Sequence, residues 1–154
     1  MVDLTSLENR AYKWMARNGI VWLRISIGIV FFWFGIQKYF PGLSSAEELA
    51  TRTIETLSFG LVTKNISMPL LASWEVLIGL LFITGYWMRF AIPLLFVQML
   101  GTVMPLFLFP AETFVPPPLV PTLVGQYIIK NIIIVTGAMV VGAHYKKLII
   151  TKKD

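Results

Sequence analysis

The sequence predicts an all-α membrane protein. The expected architecture is an antiparallel bundle of four transmembrane helices, with an N-terminal interfacial helix and a short helix in the first outer loop. Three observations predict it. Of 154 residues, 56% are hydrophobic and only 14% are charged, whereas a soluble globular chain has about a quarter charged. Four apolar stretches each reach the length of about 20 residues that a hydrocarbon core demands. The cations gather at alternate ends of those stretches, as membrane topology requires.

Residues 1–19 come first. They hold Asp3, Glu8, Arg10, Lys13 and Arg17 without an apolar run, so they do not read as a cleavable signal peptide. Leu4, Leu7, Ala11, Trp14 and Met15 can share one side and the charges the other, which predicts a helix lying on the membrane. Asn18-Gly19 is its expected stop. The first span covers about 20–40 and closes at Pro41-Gly42. Within it, Arg24, Gly28, Phe31, Gly35 and Lys38 follow helical spacing and form one stripe. Charges on a membrane helix face a bundle or a wet cavity. That stripe is therefore expected to face inward, leaving Leu23, Ile27, Val30 and Phe34 for lipid.

Residues 43–68 are polar. Ser45 with Glu48 fits a capping box, and AEELATRTIETLS reads as a short helix packing through Leu49, Ile54 and Leu57. The second span covers about 69–87, with Pro69 suited to its first turn. Trp87 and Arg89 mark an interface at its end. The third span, about 91–109, follows at once, so the two form a hairpin; Pro105 should bend the far end. Residues 110–121, with FVPPPLVP inside, are expected to be extended and not helical. The fourth span covers about 122–143, and 144–154 form a basic tail. Glycines 28, 35, 79, 101 and 137 are expected to let helices approach closely. Cations at Arg10, Lys13, Arg17, Arg89, Lys146, Lys147, Lys152 and Lys153 face only Arg52 and Lys64 on the other side, which predicts cytoplasmic termini. An internal echo aligns 24–38 with 75–89 without gaps, Gly28 on Gly79 and Lys38 on Arg89. It is either a repeat or the chance likeness of two apolar helices.

The chemistry open to the chain is narrow. It has no cysteine and one histidine, His144, which excludes disulfides, thiolate catalysis and the usual zinc or haem ligand sets. No HExxH, CxxC, nucleophile elbow or phosphate loop is present, so no catalytic residue and no metal site is assigned. The net charge of +5 belongs to cations flanking spans, not to a nucleic-acid surface. What remains is a set of embedded polar residues. Arg24, Lys38, Glu75, Gln98, Gln126, Lys130 and Asn131 are the candidates for holding a quinone or an anion. Each also has a purely structural reading as a snorkelling cation or an ion pair. At ~1.5 Å per residue, Glu75 and Lys130 lie at similar depth. They are expected to be neighbours, with Lys38 as third member.

Arg24, Gly28, Gly35 and Lys38 resemble the first helix of DoxX-like membrane proteins, and Glu75, Gly79, Gly85 and Arg89 resemble the second. Lys130-Asn131 falls where that family places a polar pair in its last helix. The phenylalanine-rich first span and the Pro-rich loop are most similar to the YkgB-like branch. The resemblance implies a four-helix protein of the bacterial inner membrane. It further implies an accessory or quinone-linked subunit of a larger redox, respiratory or oxidative-stress complex, with redox chemistry carried largely by partner subunits. Its expected companions are the bilayer, a quinone or bound lipid, and a larger complex or further copies of the chain. The alternative is a stand-alone membrane carrier or binding protein for a small anionic or amphipathic molecule.

Overall fold

The computed structural model describes residues 4–44, 47–116 and 118–148. Ser45, expected to cap a helix, lies outside them, as does the tail from 149. The described elements run α1 (Leu4–Gln37), α2 (Glu47–Leu57), α3 (Lys64–Thr84), α4 (Met88–Val103), α5 (Pro105–Leu108), α6 (Pro110–Thr113) and α7 (Leu123–Tyr145). Four helical segments are long and apolar enough to cross a membrane: α1, α3, α4 continued by α5, and α7. The fold is an all-α bundle of the expected class.

The stop expected at Asn18-Gly19 is absent, because α1 runs unbroken through it. Asn18 spends its side-chain amide inside the helix, donating to the Trp14 carbonyl at 2.9 Å. A single helical glycine costs only about 1 kcal/mol, and the apolar run beyond it continues without a breaker. The 34 residues of α1 make about 51 Å at ~1.5 Å each, against a hydrocarbon core of about 30 Å. The charged first third is therefore an extension of the first span and not a separate helix.

The centre of the fold is the antiparallel contact of α1 with α3. The expected stripe is indeed turned inward: Gly28, Phe31 and Gly35 are buried, while Arg24 and Lys38 are half-buried. A Cβ on Gly28 would sit 2.7 Å from the Ile83 backbone nitrogen, and one on Gly79 would sit 2.5 Å from that of Phe32. Residues 28 and 79 correspond in the internal echo, and so do 32 and 83. The two approaches are thus equivalent contacts on either side of the crossing, whose centre on α1 falls midway between residues 28 and 32. Of the residues expected to face lipid, Val30 and Phe34 are exposed, but Ile27 is only 5% exposed. Ile27 and Leu23 meet α7 at Gly137, so α1 has two buried faces.

Other boundaries shift for local reasons. α3 begins at Lys64, five residues before its expected opening, so Pro69 lies inside it and forfeits one ladder bond. It ends at Gly85, whose φ of 77° needs glycine. Pro105 interrupts the third span as expected, and α5 starts on it. Residues 110–113 were expected to be extended, yet form α6; Pro110 opens that turn without needing an amide donor. The loop then doubles back, with Val115 donating to the Val120 carbonyl at 2.7 Å and Thr122 to that of Thr113 at 2.9 Å. Thr122 caps α7 by accepting from the Gly125 amide. In α2, Thr51 and Thr53 are buried while Leu57 is exposed; both threonines bond back to carbonyls four residues earlier. Glu47 accepts from the Gly42 amide at 2.7 Å and pairs with Lys64 at 3.0 Å. The Gly42 bond and Lys64 hold its carboxyl below the usual range.

The glycines separate into tight and open positions, and Gly101 was expected to be tight but has nothing within 4 Å of a Cβ. Gly28→Ala and Gly79→Ala should each lower stability by ~1–3 kcal/mol, since backbones must part. Gly101→Ala should raise it by up to about 1 kcal/mol through helix propensity. Thermal unfolding in detergent, followed by circular dichroism, checks both signs.

Candidate functional site

Gly35 has no side chain, so α3 can press Val76 and the Glu75 Cβ against it. That approach delivers the Glu75 carboxylate to the end of α1. Lys38, one residue past that end, donates to Glu75 Oε2 at 2.6 Å and to the Phe34 carbonyl at 3.2 Å. Gln98 on α4 donates its Nε2 to Glu75 Oε1 at 2.9 Å. The Lys38 and Glu75 side chains are 9% and 10% exposed. Three helices are therefore joined at one level by a fully engaged carboxylate. Among the described residues no buried side-chain nitrogen or oxygen lacks a partner. This cluster holds three helices together, and each of its polar side chains already has a partner.

Lys130 is not part of it. Similar depth gave no information about which side of the helix a residue occupies. Glu75 faces α1 and α4, whereas Lys130 is exposed on α7, with its ammonium 5.7 Å from the Tyr127 ring centre. Gln126 is also exposed, its amide 3.4 Å from the Pro121 carbonyl, and Asn131 is half-buried. The seven candidates thus fall into three places: Lys38, Glu75 and Gln98 together; Gln126, Lys130 and Asn131 on α7; and Arg24 alone, beside the last turn of α3. Trp87, at the cap of α4, and Arg89, in its first turn, are exposed; Trp87 meets the Phe90 ring edge-on and the Arg89 guanidinium lies over that ring.

Arg24 does specific work. Its Nη1 donates to the carbonyls of Phe82 and, at 3.0 Å, Ile83. These lie in the last turn of α3, where carbonyls lack helical partners and a cation meets the negative end of the dipole. Gly85 leaves room for the guanidinium, since a Cβ there would lie 2.6 Å from Nη1. Both bonds use Nη1, and among the described residues Nη2 and Nε have no partner, so they can donate to a second one. Arg24 also lines an open groove of about 280 Å³ whose walls include Ile20, Val21, Met88, His144 and Tyr145. Sequence reasoning passed over His144 and Tyr145 as a mere end of the last span. The signal was available: they follow Val141 by three and four residues, on the face α7 buries.

A family model described as DoxX matches residues 19–110, from the membrane part of α1 through α5. No curated protein and no solved structure matches the chain.

Glu75→Gln should destabilise the chain in detergent by about 3–5 kcal/mol, because it leaves a buried ammonium without its counter-charge. Adding Lys38→Met should restore part of that loss, with a coupling of about 0.5–3 kcal/mol, while Lys130→Met should add to it within about 0.5 kcal/mol. A denaturant double-mutant cycle on each pair measures the difference.

Proposed function

The chain belongs to the DoxX family, and from that premise we propose that it is a multi-pass inner-membrane subunit of the YkgB-like branch, both termini cytoplasmic, serving a larger redox or oxidative-stress complex through quinone. The observation that carries this reading is the groove at Arg24. It lies at the end of the bundle where α1 extends outward, close to the interface, and most of its walls are apolar. A quinone brings carbonyl acceptors on a flat ring and an apolar tail. Arg24 Nη2 and Nε can donate to a carbonyl, His144 offers a second polar group, and Ile20, Val21 and Met88 can flank the ring. When bound, a quinone supplies a two-electron, two-proton carrier. This chain's own part is to bind and orient it. A sequence without cysteine and with one histidine suits a subunit whose electrons come from its partners. The rival cluster at Glu75 differs in that its cation and carboxylate neutralise one another in a buried pair, whereas Arg24 has no carboxylate partner among the described residues.

The test uses the chain purified in a gentle detergent with its native lipids. Wild type should retain quinone detectable by mass spectrometry. Val21→Trp, which fills the groove from an exposed position, should lose it with an unchanged melting temperature. Equal quinone in both would remove the groove from consideration. A partner-free chain that retains no quinone but melts higher with small anionic amphiphiles would instead be the stand-alone carrier.

A further inference from the structure

One stripe of α7 changes character along its length. Tyr127, Asn131, Ile134, Ala138 and Val141 follow steps of four, three, four and three, so they share a face. At the C-terminal end that face is core: Val141 is 2% exposed and Ala138 0%. Ile134 and Asn131 are half-buried, and Tyr127 is 61% exposed. The face that α1 and α4 cover below is uncovered above, and there it turns polar. Lys130, on the edge of the same stripe, is exposed as well.

A lysine there is an anomaly. It lies seven residues into a membrane-spanning helix, about 10 Å below its start. Charges at such depth normally turn into the bundle, yet among the described residues no carboxylate pairs with this one. Side chains on a helix lean toward its N-terminus. The position of the ammonium over the Tyr127 ring, three residues earlier, follows that lean toward the nearer membrane surface. A tyrosine at headgroup level is a usual interface anchor, and the Gln126 amide lies beside it, also exposed.

We propose that Gln126, Tyr127 and Lys130 form a binding site for the phosphate of an anionic phospholipid in the leaflet at the N-terminal end of α7. Lys130 supplies the cation, Tyr127 its hydroxyl, and the uncovered upper stripe of α7 a bed for the acyl chain. The assignment stands apart from the Arg24 groove, which lies at the other end of the bundle. A second copy of the chain fits less well: apart from Glu8, on the charged extension of α1, its described membrane spans hold one carboxylate, Glu75, already engaged by Lys38 and Gln98.

Native mass spectrometry of the detergent-solubilised chain, titrated with phosphatidylglycerol, phosphatidylethanolamine or inorganic phosphate, tests the site. Wild type should carry phosphatidylglycerol in preference to phosphatidylethanolamine. Lys130→Met should weaken phosphatidylglycerol binding about five-fold, the factor one basic residue contributes at an anionic surface. Lys130→Arg should keep it, and Val21→Trp in the distant groove should leave it unchanged. Undiminished phosphatidylglycerol binding in Lys130→Met would overturn the proposal. Lysine-dependent binding of inorganic phosphate, with no lipid preference, would overturn the lipid assignment in favour of a soluble anion.

Discussion

The close approach of α1 and α3 is the constraint from which the other contacts follow. Lipid tails are as apolar as the side chains they surround, so membrane helices gain little from hiding grease and depend on close packing. Gly28, Gly35 and Gly79 provide that closeness, each facing the partner backbone where a Cβ would not fit. Once the backbones are this near, Glu75 comes within reach of Lys38, and Arg24 within reach of the last carbonyls of α3. A wider spacing would strand all three in a medium that penalises unpaired charge.

The two cations of the stripe are satisfied by different chemistry. Lys38 meets a carboxylate that Gln98 also supports, giving a closed polar knot across three helices. Arg24 meets neutral carbonyls at a helix terminus through one nitrogen, giving an open arrangement beside a groove. The first is a fastening. The second lines a groove, which is why the proposed ligand chemistry is placed there.

Much of this was legible in the sequence. Hydropathy and cation spacing located four spans, and the spacing of Arg24, Gly28, Phe31, Gly35 and Lys38 identified the face that packs on α3. Lys38 with Glu75 was legible as one possible pairing. The partnership of Glu75 with Lys130 was not, because depth along an axis is readable from residue count while the angle around it is set by packing. The continuous helix through Gly19 was hidden for a related reason: stop signals are local, but the apolar run that overrides them is not. His144 and Tyr145 escaped notice because basic and aromatic residues at the end of a span look alike whether they face lipid headgroups or a groove.

The crossing of α1 and α3 also sets a mechanical centre. The contacts on Ile83 and Phe32 flank it, so the pivot on α1 falls midway between residues 28 and 32. Arg24 lies six residues from it along α1 and Lys38 eight, lever arms of about 9 Å and 12 Å. Any scissoring of the two helices therefore displaces the Lys38 end about a third farther than the Arg24 end. The strong ionic knot sits on the long arm, where it gives the greatest resisting torque. The groove sits on the shorter arm, where the same scissoring moves the walls less.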